Sequence, residues 1–161
     1  MAIENTAGML GCGAGELSDV ARELEGLVQR LLIAEQSEFS EETASFGLTV
    51  PQFVTLSAIE NFDEGRERMG RIAAMAHQCS ATMTGIIDRL ENMALVQRVN
   101  NPNDRRSVLV ELTDAGRQRL EEVRSVRRRR LESVLTRLNA ETRAQMCGAL
   151  AQFTEAIEQA E

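Results

Sequence analysis

The fold is decided by residues 80–116, which read SATMTGIIDRLENMALVQRVNNPNDRRSVLVELTDAG. In the first third of this stretch, apolar residues recur at spacings of three and four. This spacing predicts a helix from Ala81 to about Met93, with Ser80 as its N-cap. Further along, apolar and polar residues alternate, which predicts a two-stranded hairpin whose turn spans residues 100–104. Arginines beside the turn give this hairpin a basic tip.

The segments before this stretch are predicted to be helical as well. Residues 16–38 carry an apolar stripe at spacings of three and four, and a second helix opens at Thr49 with Pro51 in its first turn. A short helix over residues 69–75 and a turn at residues 77–79 follow. Three short helices followed directly by a hairpin form a winged helix-turn-helix, in which the second helix of the pair enters the DNA major groove.

Helices are also predicted after the hairpin. Thr113 and Asp114 begin a long helix, and apolar residues at helical spacing continue to Ile157. The stripes at both ends of the chain exceed what one small winged domain can cover, so we expect them to pack against a second copy across a two-fold axis. The predicted fold is mainly α with a small β-hairpin wing, in a single domain of residues 1–161. Within it we predict a flexible tail (1–15), dimerisation helices (16–47 and 113–161) and a winged helix-turn-helix (48–112).

The charge of the chain is distributed unevenly. Its net charge is -7 overall, but residues 1–65 carry twelve acids against two arginines, whereas residues 66–106 carry seven arginines against four acids. The predicted winged region is therefore the only basic part, as a nucleic-acid surface requires. No stretch reaches the roughly 18 apolar residues of a membrane span, and the first fifteen residues do not resemble a signal peptide. We expect a cytoplasmic protein without a membrane partner.

Catalytic and metal-binding residue types are scarce. The chain has one histidine, His77, and three widely spaced cysteines, Cys12, Cys79 and Cys147, which form neither a zinc knuckle nor a disulfide framework. A catalytic triad would have to use His77, and no G-x-S-x-G motif accompanies it. We therefore expect no metal, no cofactor and no enzymatic activity.

Several motifs, in the right order, resemble those of the MarR (multiple antibiotic resistance regulator) family over about residues 20–160. They are Leu48-Thr49-x-x-Gln52-Phe53-x-x-Leu56, then Asp88-Arg89-Leu90-Glu91-x-x-x-Leu95-Val96-x-Arg98, then Asp104-x-Arg106-x-x-x-Val110-x-Leu112-Thr113 with Gly116. The resemblance implies a homodimer that binds a pseudo-palindromic double-stranded DNA operator, usually as a repressor released by a small ligand or by cysteine oxidation.

The resemblance also implies where DNA is bound. Ser80, Thr82 and Thr84 would lie at the start of the recognition helix, and Arg89 would lie about a turn further on. The motif adds Arg98 to this set. At the wing, Arg105 and Arg106 resemble the family's minor-groove reader, with Asp104 bracing the arginine through an ion pair.

Two positions depart from the family pattern. Ala94 stands where the family commonly has glycine after the recognition helix, so a left-handed cap there would be mildly strained or replaced by another geometry. Gly85 stands where family members often carry a larger, frequently basic residue, which removes one possible DNA contact. Both departures affect the operator sequence rather than the fold.

Alternatives to a ligand-released repressor remain open at this point. Cys79 lies just before the recognition helix, where the helix dipole could lower its pKa, so a redox-sensing regulator is one alternative. A winged-helix module used only for protein contacts is another. We favour a small organic ligand between the dimerisation helices and the winged domain, because the chain has no tyrosine to partner a peroxide-sensing cysteine. The run of arginines at 127–130 would spread around a helix, so we expect these residues to be solvated or paired with acids.

The wing motif predicts that Arg106→Ala weakens operator binding by about 1–3 kcal/mol and leaves the fold intact, because the variant loses a minor-groove contact. Fluorescence anisotropy with a labelled operator duplex measures the affinity, and circular dichroism checks the fold. Unchanged affinity in the variant would remove Arg106 from the site.

Overall fold

The computed structural model describes residues 10–102 and 104–159, with side chains for residues 15–102, 104 and 107–159. Its helices and strands are α1 (Leu10–Ser45), α2 (Val50–Glu60), a 3-10 turn (Asp63–Gly65), β1 (Arg66–Arg68), α3 (Met69–Met75), α4 (Ser80–Asn92), β2 (Val96–Asn101), β3 (Asp104–Leu112), α5 (Asp114–Leu135) and α6 (Ala140–Glu158). None of the helices among these residues is both long enough and apolar enough to span a membrane. This order confirms the predicted winged helix-turn-helix with flanking helices.

The chain divides into two compact units, residues 1–41 and residues 42–161. The described part of the first unit is helix α1 as far as Glu41. Because α1 begins at Leu10, it includes residues that we predicted to be a flexible tail, and the rest of that tail lies outside the described residues. The apolar stripe of α1 is exposed along its length: Leu17, Val20, Leu24, Leu27, Val28, Leu31, Leu32 and Ile33.

The core of the second unit lies between α2, α3, α4 and the sheet. Its fully buried large side chains include Leu56, Ile59, Ile72, Met83, Ile87 and Leu90, each contributing about 1.5–3 kcal/mol by burial. Helix α2 begins where the sequence predicts, because Thr49 and Gln52 form a capping box. The Thr49 backbone N–H donates to Gln52 Oε1 at 2.8 Å, and the Gln52 backbone N–H donates to Thr49 Oγ1 at 3.4 Å.

The sheet has three antiparallel strands in the order β1-β3-β2, not the two that we predicted. The missed strand, β1, is only three residues long, and it pairs Arg66 with Glu111 and Arg68 with Leu109. Its charged residues give no apolar alternation to detect. The hairpin turn is also tighter than the predicted residues 100–104, because β2 continues to Asn101, which pairs with Asp104.

The ends of α4 differ in how well they were predicted. Cys79, not Ser80, occupies the N-cap position: its backbone is extended, and its carbonyl accepts the Met83 backbone N–H at 3.0 Å. Ser80 is the first helical residue. At the other end, Ala94 has a φ of 58°, which confirms the strained left-handed conformation after the helix.

The base of the wing is locked to the start of α5. Thr113 Oγ1 donates to the Ala94 carbonyl at 2.8 Å and accepts the Gly116 backbone N–H at 3.0 Å, so one hydroxyl joins the end of the recognition helix to the cap of α5. The Thr113 backbone N–H donates to the Leu95 carbonyl at 3.2 Å. A Cβ on Gly116 would lie 2.1 Å from the Leu95 oxygen, so only glycine permits this approach.

Gly116→Ala is therefore expected to lower the free energy of unfolding by about 1–3 kcal/mol, because the methyl group forces the base of the wing away from α5. Gly85→Ala is the matched control: its Cβ would meet nothing within 4 Å, and alanine favours the interior of α4, so it should raise stability by about 0.5–1 kcal/mol. Urea unfolding at one protein concentration, followed by circular dichroism, measures both. Equal stability of Gly116→Ala and the unsubstituted protein would contradict the close approach.

Candidate nucleic-acid interface

Helix α4 has one sealed face and one exposed face. Met83, Ile86, Ile87 and Leu90 are buried against the core of the second unit. Three predicted DNA-binding hydroxyl residues, Ser80, Thr82 and Thr84, together with Arg89, are exposed on the remaining surface. Gly85 lies among them with open space around it. The exposed face therefore carries small hydroxyl-bearing side chains and one long cation, with the carboxylate of Asp88 nearer the C-terminal end of the helix.

The hydroxyl groups at the start of α4 already make local hydrogen bonds. Thr84 Oγ1 donates to the Ser80 carbonyl at 3.0 Å, and it lies 3.8 Å from Met69 Sδ on the preceding helix α3. The Thr84 oxygen can still accept a hydrogen bond from a base amino group, and threonine methyl groups can contact the thymine methyl. These residues are chemically suited to base edges in a major groove.

Cys79 and Thr82 form a pair at the N-terminus of α4. The Cys79 sulfur lies 3.1 Å from Thr82 Oγ1, and the thiol is exposed. Hydrogen bonds from the Thr82 hydroxyl and then from its backbone N–H lower the pKa of the Cys79 thiol below its ordinary value. The structure thus places an acidified thiol next to the residues predicted to contact DNA.

Arg98, on β2, is held by two carboxylates of α4. Its Nη2 donates to Asp88 Oδ1 at 2.6 Å, and its Nη1 donates to Glu91 Oε2. The hydrogen bond to Asp88 is the main cause that raises the pKa of Arg98. The structure therefore brings Arg98 beside the recognition helix but engages its guanidinium within the protein.

An ion pair that the sequence did not predict lies beside the wing. Arg68 Nη2, at the end of β1, lies 3.6 Å from Asp104 Oδ2 at the start of β3. The predicted brace between Asp104 and a wing arginine lies outside the described residues, because the side chains of Arg105 and Arg106 are not among them. Their backbone belongs to β3, which places both at the tip of the hairpin.

A second arginine next to the wing was also missed. Arg71, on α3, pairs with Glu67 at 2.5 Å, and its guanidinium lies 5.3 Å from the centre of the Phe62 ring. Arg68 and Arg71 line a cleft of about 420 Å³ between β1 and the wing. Neither Arg68 nor Arg71 belongs to a motif. The excess of arginine over acids in residues 66–106 was the one feature of the sequence that could have indicated them.

Comparison with known proteins decides the family. Residues 48–108 match the sequence model of the MarR family. The chain is 30% identical over 142 residues to the HTH-type transcriptional repressor NicR of Pseudomonas putida, covering 88% of this chain and 89% of NicR. It is 29% identical to the HTH-type transcriptional repressor MdtR of Bacillus subtilis, covering 88% of each. The chain belongs to the MarR family.

A solved structure of the same family agrees with this assignment. A MarR family protein from Bacillus stearothermophilus superposes with a TM-score of 0.80 at 26% identity, covering 88% of this chain and 97% of that protein. Together with the repressor relatives, this likeness identifies the chain as a DNA-binding transcriptional regulator with a winged helix-turn-helix. In MarR terms, α4 is the recognition helix, and β2 and β3 form the wing.

Three of the four arginines at 127–130 lie beside acids and Arg129 is exposed, which agrees with the prediction that the run is solvated or paired with acids. Arg127 and Arg130 lie 3.7 and 2.8 Å from the buried carboxylate of Glu42, and Arg128 lies 3.5 Å from Glu121.

Among the residues described, no group of three or more histidine, cysteine, aspartate or glutamate side chains is arranged to hold a metal ion. The candidate DNA interface is formed by the exposed face of α4 and by the wing.

Removing the Thr82 hydroxyl is expected to raise the pKa of Cys79. Thr82→Val deletes the hydrogen bond with the largest effect on the thiolate, so the pH midpoint of Cys79 alkylation should shift upward. Thr84→Val is the matched control, because its hydroxyl bonds to the Ser80 carbonyl instead. Iodoacetamide labelling across pH, followed by mass spectrometry of the Cys79 peptide, gives the midpoints. Identical midpoints for Thr82→Val and the unsubstituted protein would contradict the assigned cause.

Proposed function

We propose that this MarR-family chain is a homodimeric repressor that inserts α4 of each subunit into the major groove of a pseudo-palindromic operator. The observation that carries the proposal is the division of α4 into a sealed inner face and an exposed face with Ser80, Thr82, Thr84 and Arg89. A rigidly packed helix with small polar side chains outward can approach base edges closely, and its N-terminus favours phosphate. The protein's role is regulatory rather than catalytic, and it acts where the chromosome lies, in the cytoplasm.

The wing supplies the flanking contacts in this proposal. Arg105 and Arg106, at the tip of the hairpin, enter the minor groove beside each half-site. The hairpin is supported by the pairing of β3 with β1 on one side and β2 on the other. The Arg68–Asp104 ion pair adds an exposed contact between the end of β1 and the start of β3.

The exposed apolar face of α6 supports the dimer. No residue of α6 is buried within the chain, although Met146, Leu150, Phe153 and Ile157 recur at spacings of three and four. Such a stripe is stable only when another surface covers it. Covering it with the same helix of a second copy creates a two-fold axis, and that axis supplies two recognition helices for two half-sites.

We propose a small organic ligand as the effector, as the MarR resemblance implies. A cysteine-based redox switch is the second candidate, because Cys79 is exposed at the N-cap of the recognition helix with a lowered pKa. An oxidised or alkylated thiol at this position would obstruct the face that meets DNA. Peroxide-induced release from DNA that Cys79→Ser abolishes would favour this second candidate.

The proposal is tested in two steps. The protein first selects a DNA duplex from a randomised pool, and light scattering then measures the molar mass of the protein alone and of its complex with that duplex. The protein alone should have about twice the 17.8 kDa mass of the chain, and the complex should contain two chains per duplex. Phe153→Glu should yield a monomer with weak binding, whereas Gln152→Glu, with the same added charge one residue away, should stay dimeric. A monomeric unsubstituted protein would contradict the proposed dimer. If no sequence is selected from the pool, the proposed DNA binding is contradicted, and a winged-helix module used only for protein contacts is favoured instead.

A further inference from the structure

The recognition helix carries an unfavourable charge for its proposed partner. Its charged residues are Asp88, Arg89 and Glu91, which give α4 a net charge of -1. Carboxylates that approach phosphates within a Debye length, about 8–10 Å at physiological salt, repel them. An acidic recognition helix therefore needs compensation from elsewhere in the protein.

Arg98 supplies this compensation with a specific geometry. Asp88 and Glu91 lie three positions apart, so they project from the same side of α4, toward β2. Each of the two terminal nitrogens of Arg98 donates to one of these carboxylates. One guanidinium thus binds both carboxylates, and with Arg89 it brings the local charge to zero.

The same ion pairs join the two elements that must act together. Arg98 belongs to β2, where it is paired with Val110 of β3, the strand that carries Arg105 and Arg106. The Arg98 side chain is 34% exposed, whereas those of Asp88 and Glu91 are 54% and 37% exposed, so the ion pairs lie at the surface. Asp88 and Glu91 are thereby held toward the wing, and Asp88 lies one turn of α4 after Thr84.

From this geometry we infer that Arg98 is a positioning residue and not a DNA contact: it neutralises Asp88 and Glu91 and fixes the recognition helix against the wing. The inference rests on the proposed function, since it concerns how α4 meets DNA. It also replaces the role that the motif suggested for Arg98. A direct contact would add one neutralised phosphate, whereas a positioning residue adds none.

The experiment compares Arg98→Met in two backgrounds, the unsubstituted protein and Asp88→Asn with Glu91→Gln. The probe is the duplex that the unsubstituted protein selects from a randomised pool, and anisotropy gives affinity as a function of salt. In the unsubstituted background, Arg98→Met should weaken binding by about tenfold, because two carboxylates are left facing phosphate. In the neutralised background it should weaken binding by less than about twofold, because no carboxylate needs a partner.

The salt dependence separates the two roles independently. In the neutralised background, Arg98→Met should leave the slope of log affinity against log salt unchanged, because no carboxylate remains to repel phosphate. The control Arg89→Met, on the exposed face of α4, should reduce the slope by about one. Equal weakening by Arg98→Met in both backgrounds, with a slope reduced by about one, would overturn the inference and make Arg98 a phosphate contact. If circular dichroism shows that Arg98→Met is unfolded, Arg98→Gln, which keeps hydrogen-bond donors without charge, replaces it with the same expected outcomes.

The failure of the proposed function would look different. An unsubstituted protein that selects no duplex would remove the DNA-binding role itself and the inference with it. An unsubstituted protein that binds its duplex, with an Arg98→Met defect that the neutralised background does not relieve, would remove only the inference.

Discussion

The candidate DNA interface depends on the contact between Leu95 and the first turn of α5. The Leu95 carbonyl accepts the Thr113 backbone N–H, and Gly116 leaves room for it where any Cβ would collide. Because Leu95 lies between the recognition helix and β2, and Thr113 follows β3, this contact closes the base of the wing. The strained backbone at Ala94 makes the turn into Leu95 short enough to permit it. The recognition helix, the wing and α5 therefore meet at this contact.

The charge of the chain is distributed so that a protein with a net negative charge can bind DNA. The net charge of -7 is concentrated in the first 65 residues, whereas the winged region is basic. Four arginines of that region each lie beside a carboxylate: Arg66, Arg68, Arg71 and Arg98. An arginine whose charge is paired within the protein neutralises no phosphate, so we expect fewer phosphate contacts than arginines. The slope of log affinity against log salt should report that smaller number.

The sequence predicted those elements whose signals are local. Thr49 and Pro51 predicted the start of α2, and the alternation of apolar and polar residues before Thr113 predicted β3. Strand β1 was missed because its charged residues pair with a strand some forty positions later, a contact with no local trace. Ser80 was taken for the cap because serine favours that position, yet the backbone places Cys79 there. The motif predicted Arg98 as a DNA contact. That its guanidinium meets two carboxylates of α4 could not be predicted, because the three residues come together only in the folded structure.

The most direct test of this account is methylation interference with dimethyl sulfate on the selected duplex, because it reports which groove each element occupies. The reagent methylates guanine N7 in the major groove and adenine N3 in the minor groove. The account predicts that N7 methylation blocks binding in two groups about ten base pairs apart, one for each α4, with N3 interference beside each group where the wings lie. Interference confined to one group, or N3 interference within the groups and none at N7, would contradict it.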